Sequence, residues 1–97
     1  MIGPRVTSAS RGKIHTAHMV SRKATEFPFR AFVTVVWDDF ADRSWSAWGE
    51  TLEGAQAAAM DKMRHDYRRV DVALPTETVE HGKRSRIDCE NNWYWRK

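Results

Sequence analysis

The 97-residue sequence predicts a single α+β domain, in which an antiparallel sheet of about three to five strands packs one face against one main helix. Three neighbouring patterns within residues 29–70 predict this class: an alternating apolar run, an aromatic run after an acidic turn, and an alanine-rich segment of helical period. A chain of this length can bury one modest core. We expect residues 1–13 to form a flexible tail and residues 14–97 to form the domain, because the opening segment combines Gly, Pro and Ser without a regular period.

Two segments in the first half of the chain are candidate strands. The first runs from Ile14 to Val20. The stronger signal runs from Phe29 to Trp37, where the odd-numbered side chains are all apolar and Phe32 and Val36 make the other face apolar as well. Apolar character on both faces favours a central strand.

An acidic turn and a third strand follow. Asp38, Asp39 and Asp42 are typical of a hairpin turn, since aspartate side chains bond to the nearby backbone. The segment from Arg43 to Gly49 then predicts the partner strand, which carries two tryptophans.

The main helix is predicted to follow Thr51, which is placed to cap its first turn, with Glu53 where the helix dipole favours an acid. Small and apolar residues recur at three- and four-residue steps and predict its buried face. These residues are Leu52, Ala55, Ala59, Met63, Tyr67 and Val70. Arg64 and Arg68 fall on the opposite face with Asp61 nearby, so we expect them to contact solvent.

The last third of the chain is predicted to be mostly strand. Thr76 to His81 has strand-like residues, and Gly82 to Arg86 predicts a basic turn. Ile87 to Trp95 is a further candidate strand, in which Asn91 and Asn92 favour a tight hairpin or a bulge.

Composition predicts a soluble cytoplasmic protein. No apolar run approaches the roughly 18 to 20 residues that a membrane span needs, and the first residues lack the apolar stretch of a secretory signal. Cys89 is the single cysteine, so no internal disulfide can form.

The titratable residues do not predict a metal site. His15 and His18 have a spacing that suits metal ligation on a helix, but on a strand they face opposite sides. His65 and His81 are expected to be exposed. The turn aspartates could hold a cation or act as acid and base, although a role in the hairpin is preferred.

The sequence also predicts no catalytic site. Cys89 has Arg84 and Arg86 nearby, which could activate a thiol, yet no histidine is placed beside it. We therefore expect no enzyme activity and no cofactor.

Charge and aromatic residues suggest a binding surface instead. Residues 1–30 hold six Lys and Arg against one acid, residues 31–61 hold one against six, and residues 62–97 hold nine against six. Aromatic and basic residues also meet at the chain end, and with the two helix arginines they form the predicted partner-binding set. That set is Trp93, Tyr94, Trp95, Arg96, Lys97, Arg64 and Arg68. The alternatives are a solvated basic surface and tryptophans that cover the edge of the core.

Residues 49–60, with the sequence GETLEGAQAAAM, resemble the last strand and helix start of double-stranded RNA-binding domains, and equally the strand-to-helix joint of HicB-like antitoxins. The RNA-binding family carries lysines at the helix start, where this chain has Leu52 and Glu53. In size and organisation the chain is similar to small phage-encoded accessory proteins, including anti-CRISPR proteins.

That similarity implies a non-catalytic, phage-type inhibitor that docks on a host protein or ribonucleoprotein complex. The alternative is a module that binds DNA or RNA directly through a basic and aromatic surface. No membrane partner is expected, and an exposed sheet edge could pair two copies as a homodimer.

Overall fold

The computed structural model describes residues 11–21, 26–38, 41–69 and 73–85. Four strands and one helix follow one another in the order β1 (Gly12–Val20), β2 (Phe29–Trp37), β3 (Arg43–Gly49), α1 (Leu52–Arg68) and β4 (Thr78–Lys83). The strands lie in the sheet in the order β3-β2-β1-β4. The predicted α+β class, with one helix on one face of the sheet, is confirmed.

The first three strands form the predicted antiparallel part of the sheet. β2 lies between β1 and β3, as the apolar character of both its faces indicates. β1 begins at Gly12, two residues before the predicted start at Ile14. A Cβ atom at Gly12 would lie 2.7 Å from the carbonyl oxygen of Val36 and 2.8 Å from the Trp37 ring, so only glycine allows β2 this close.

The sequence predicts an antiparallel sheet, but the observed sheet is mixed, because β4 lies beside β1 and runs in the same direction. The helix accounts for this direction, since it crosses the sheet and returns the chain to the end where β3 begins. Thr16 faces Glu80 and His18 faces Lys83, so β4 uses one residue more than β1 in this stretch.

The predicted basic turn at residues 82–86 therefore begins later than expected. Gly82 and Lys83 belong to β4, and the bulge explains why a glycine stands there. Gly82 has a φ of 69°, a backbone conformation that residues other than glycine rarely adopt. The candidate strand at residues 87–95 lies outside the described residues.

Local sequence accounts for both ends of α1. The Thr51 hydroxyl accepts a hydrogen bond from the Gly54 amide at 3.0 Å, as the predicted cap requires. Gly49 lets the helix start close to the end of β3, because a Cβ there would lie 2.6 Å from the Ala55 nitrogen. The helix ends at Arg68, before the predicted Val70, which lies outside the described residues.

The core lies between α1 and the sheet. Val33, Val35, Ala55, Ala59 and Met63 are fully buried together, as predicted, whereas Leu52 is half-buried. Small alanines on the helix allow its backbone to approach the sheet closely.

At the far end of this core, Trp37 and Tyr67 meet edge to face, with ring centres 5.9 Å apart. The Trp37 indole N–H donates a hydrogen bond to the Tyr67 hydroxyl at 3.0 Å. This buried contact ties the last turn of α1 to the end of β2.

The opposite face of the sheet carries a smaller buried cluster, formed by Ala17, Met19 and Phe32. Within the described residues, no helix is long and apolar enough to cross a membrane.

Candidate binding surfaces

The outer face of α1 carries the two arginines that the helical period placed there. Arg64 and Arg68 are both exposed. Arg64 lies 3.5 Å from the Asp61 carboxylate, an exposed pair that contributes little to stability. Arg68 lies in the last turn, where the helix dipole favours a cation. Both side chains are therefore accessible to a partner.

A shallow cleft of about 420 Å³ lies between the second half of α1 and β3. The residues that line it are Trp45, Asp61, Lys62, His65 and Asp66. The Trp45 indole N–H donates to the Asp66 carboxylate, and its ring meets Tyr67 edge to face with centres 5.4 Å apart. The guanidinium of Arg43 lies 5.8 Å from the centre of the same ring. Trp45 is thus half-buried and held in one orientation.

Lys62 closes part of the outer edge of the sheet beside this cleft. The backbone N–H of Ser21 donates a hydrogen bond to the carbonyl oxygen of Pro28. Bonded and non-bonded residue pairs alternate along two antiparallel strands, so the odd-numbered residues of β1 bond to β2. Alternation along β2 and β3 then leaves the backbone groups of Ser44, Ser46 and Trp48 at the outer edge of β3.

The Lys62 ammonium donates to the carbonyl oxygen of Ser46 at 2.8 Å. A lysine over an edge carbonyl is a common protection against pairing with another strand.

The cleft lies in a basic environment. Residues 61–69 contain four Lys and Arg and two Asp. Both carboxylates are engaged within the domain, since Asp61 pairs with Arg64 and Asp66 accepts from Trp45. We define the α1–β3 surface as Trp45, Lys62 and His65, which line the cleft, together with Arg43 beside Trp45 and the exposed Arg68 in the last turn of α1. Of this set, sequence periodicity identified only Arg68 as a binding residue, because the pairing of β3 with this part of α1 depends on tertiary packing.

A second aromatic and cationic group lies on the opposite face of the sheet. Arg30 and Trp48 are directly opposite each other on β2 and β3. The Arg30 guanidinium lies 4.8 Å from the centre of the Phe32 ring and 5.4 Å from that of Trp48. Its Nη2 donates to the Ser46 hydroxyl at 3.2 Å. The sequence predicted that Trp48 lies on β3, but it did not identify Arg30 as its neighbour, because that contact depends on the register of β2 with β3.

Two histidines join β1 to β4. His15 Nδ1 and His81 Nε2 lie 2.8 Å apart, so one nitrogen donates a hydrogen bond and the other accepts it. The ring centres are 5.1 Å apart and the rings are within 17° of parallel. The two ring centres are farther apart than the two bonded nitrogens by about the width of one imidazole ring. The rings therefore lie side by side along the hydrogen bond, nearly in one plane, and not face over face. His81 was expected to be exposed, and this is wrong: it is half-buried against β1.

The environment of this pair favours neutral imidazoles. Burial, followed by the charges of His81 and Lys13, lowers the pKa of His15, although Asp42 and Glu77 oppose the shift. Burial and then the charge of Arg84 lower the pKa of His81. Because two protonated imidazoles would bring donor against donor, acid breaks this hydrogen bond.

His18 does not join the pair. It follows His15 by three residues on β1, so alternation directs it to the other face of the strand, as predicted. Burial and then the charge of Lys83 lower its pKa. The described ranges contain no cluster of three or more His, Cys, Asp or Glu that could hold a metal ion.

The remaining predicted residues have varied positions. Asp38 and Asp42 are exposed on either side of the β2–β3 turn, and Asp39 lies outside the described residues. His65 is exposed, as expected. Residues 93–97 of the predicted binding set, together with Cys89, also lie outside the part of the chain that the structure describes. Their assignment stays a prediction.

Comparison of the chain with protein-family models, with characterised proteins and with solved structures finds no match.

Proposed function

We propose that this protein acts by binding, as a phage-type, anti-CRISPR-like inhibitor that docks on an acidic surface of a host protein or ribonucleoprotein complex. The observation that carries the proposal is the α1–β3 surface, where basic side chains surround an indole held in one orientation. The small size of the chain and its architecture, with one sheet packed against one helix, are consistent with an inhibitor of this kind. Its place of action would be the cytoplasm of a bacterial host.

Trp45 has the properties of an interface anchor. Tryptophan and arginine are enriched among the residues that contribute most to protein binding. Trp45 is held by Asp66, Tyr67 and Arg43, so little side-chain freedom remains to be lost when a partner covers it. The half-buried indole and its neighbouring cations therefore favour docking.

The charges around Trp45 define the chemistry of the partner. Lys62 lines the cleft beside it, and Arg64 and Arg68 are exposed on the same half of the helix. Such a surface attracts an acidic partner and accelerates encounter at low salt.

Three of the titratable groups at the cleft are engaged within the domain, which favours docking over acid–base chemistry. Asp66 accepts from an indole and Asp61 pairs with Arg64. The Lys62 ammonium is bonded to a backbone carbonyl. Groups already engaged within the domain are poorly placed to exchange protons with a substrate.

The terminal aromatic and basic residues, Trp93 to Lys97, are proposed to extend the interface, since they combine large apolar area with positive charge. A homodimer through a sheet edge is a weaker proposal at β3, because Lys62 already bonds to the outward carbonyl of Ser46.

Charge reversal on the helix tests the docking proposal. Arg68→Glu is expected to abolish capture of an acidic partner from a bacterial lysate, with nuclease treatment separating protein from nucleic-acid bridges. Lys83→Glu is the matched control, since it reverses an exposed cation on β4, away from α1. Both variants should melt as the wild type does. Equal capture of one partner by both variants would remove the α1–β3 surface from the proposal.

Direct binding to DNA or RNA is the second candidate function, and the group formed by Arg30 and Trp48 favours it. Salt titration separates the two functions. Binding to phosphates releases counterions, so the affinity for nucleic acid falls steeply as the salt concentration rises. Docking on a protein should lose less affinity, because its charges act mainly on the rate of encounter and the contact through Trp45 is insensitive to salt.

A further inference from the structure

We infer that Arg30, Ser46 and Trp48 form a site that stacks an unpaired base of single-stranded nucleic acid and contacts its phosphate. These residues lie together on the face of the sheet opposite α1, so the site is separate from the α1–β3 surface. We call it the Arg30–Trp48 site. The inference rests on the second candidate function, nucleic-acid binding, and specifies its ligand as a single strand.

Trp48 supplies the stacking surface. Trp48 is 44% exposed near the end of the edge strand β3, whereas Phe32 on the same face of the central strand is only 6% exposed. Every base has a π face, so an exposed indole accepts bases with little regard to sequence. The rigid sheet also holds this indole at one position, which reduces the freedom lost on stacking.

Arg30 supplies a cation whose plane is fixed. Its guanidinium lies over the Phe32 ring, and its Nη2 is bonded to the Ser46 hydroxyl. Within the described part of the chain its Nε is buried without a hydrogen-bond partner. The remaining Nη hydrogens are available to a phosphate oxygen, which guanidinium groups bind well.

The distance between the two groups suits one nucleotide. The guanidinium carbon of Arg30 lies over the Trp48 ring, 5.4 Å from its centre, so a base would stack on the exposed part of the indole that Arg30 leaves uncovered. Stacking on Trp48 and a phosphate contact at Arg30 can therefore be made together. An unpaired nucleotide offers both groups at once, whereas a duplex hides the faces of its bases within the stack.

Neighbouring side chains keep this part of the face polar. Ser44 is exposed beside Ser46, and its hydroxyl shares a hydrogen bond of 2.8 Å with that of Thr34, which is fully buried and out of reach of a ligand. Hydroxyl groups readily contact sugars and phosphates. The combination of an aromatic ring, a fixed cation and hydroxyls favours a nucleic-acid strand over an apolar peptide.

Fluorescence anisotropy with a labelled oligonucleotide of about 12 nucleotides tests the inference, since single strands of this length cover sites of this kind. The wild type should bind oligo-dT or oligo-U more tightly than a duplex of equal length. Trp48→Thr keeps a residue that suits a strand and should weaken binding roughly ten-fold or more. Trp48→Tyr retains an aromatic face and should bind within about three-fold of the wild type.

Arg30→Lys gives a second and independent readout. It keeps the charge but loses the planar group, so single-strand affinity should fall while the protein still melts as a folded domain. Circular dichroism identifies any variant that fails to fold. If Trp48→Thr does not fold, the comparison of Trp48→Tyr with Arg30→Lys tests the site instead.

Three outcomes would overturn the inference. One is equal affinity of the wild type for single strands and duplex. The second is unchanged single-strand affinity in folded Trp48→Thr protein and in Arg30→Lys protein. The third is displacement of the oligonucleotide by an acidic, aromatic peptide at lower concentration than by unlabelled oligonucleotide, which would assign the site to a protein partner.

Discussion

Replacing Tyr67 by Phe tests the contact that anchors the last turns of α1. The Tyr67 hydroxyl accepts the indole N–H of Trp37 at 3.0 Å, and the two side chains are only 4% and 5% exposed. Phenylalanine keeps the ring but removes the acceptor, so the buried N–H of Trp37 loses its partner. An orphaned buried donor costs about 1 to 3 kcal/mol.

The edge-to-face contacts should survive this substitution, because they involve only the rings. Those contacts join Tyr67 to Trp37 at 5.9 Å and to Trp45 at 5.4 Å between ring centres. Burial, partly opposed by the hydrogen bond from Trp37, raises the pKa of the Tyr67 hydroxyl, so it stays protonated near neutral pH. The loss in stability should therefore be the same at all pH values near neutrality.

Urea unfolding followed by circular dichroism measures the effect. Each kcal/mol should also lower the melting temperature by about 4 to 8 °C in a domain of this size. A double-mutant cycle with Trp37→Phe separates the hydrogen bond from the loss of ring contacts. If Tyr67→Phe unfolds within about 0.5 kcal/mol of the wild type, the Trp37–Tyr67 bond does not stabilise the core and the reasoning is refuted.

Three further predictions concern the core, the histidine pair and the chain end. Met63→Ala should lower the free energy of unfolding by about 2 to 5 kcal/mol because Met63 is fully buried, and an unchanged urea midpoint would contradict its place in the core. The lowered pKa values of His15 and His81 mean that the unfolded chain binds protons more tightly, so their contribution to stability is complete above the usual value of 6.5 and is lost as the pH falls below it. Urea unfolding at about pH 7.5 and about pH 5 checks this, with His81→Phe expected to flatten the profile, and equal stability of the wild type at both values would exclude it. Truncation after Asn92 should weaken partner capture while the dichroism spectrum is kept, whereas an unfolded product would assign those residues to the core.

Periodicity predicted the parts of the fold that depend on neighbouring residues in sequence. Alternation from Phe29 to Trp37 identified the central strand, and three- and four-residue steps after Thr51 identified the buried face of α1. The same helical phase placed Arg64 and Arg68 in solvent. These predictions succeed because a strand and a helix each turn their side chains by a constant angle per residue.

The contacts that build the candidate sites could not be predicted in the same way. Trp45 meets Asp66 only because α1 packs beside β3, and Arg30 meets Trp48 only through the register of β2 with β3. A shift of one residue in that register would send these side chains to opposite faces.

The sequence by itself determined the α+β class, the central strand, the capped helix and its exposed arginines, because each depends on a local repeat of polarity. Only the tertiary structure decided that β4 runs parallel to β1 and that His15 bonds to His81, 66 residues away. The bulge opposite Thr16 and His18 sets which residues of β4 face β1. Long-range pairing of this kind depends on how the helix crosses the sheet, and no local pattern records that path.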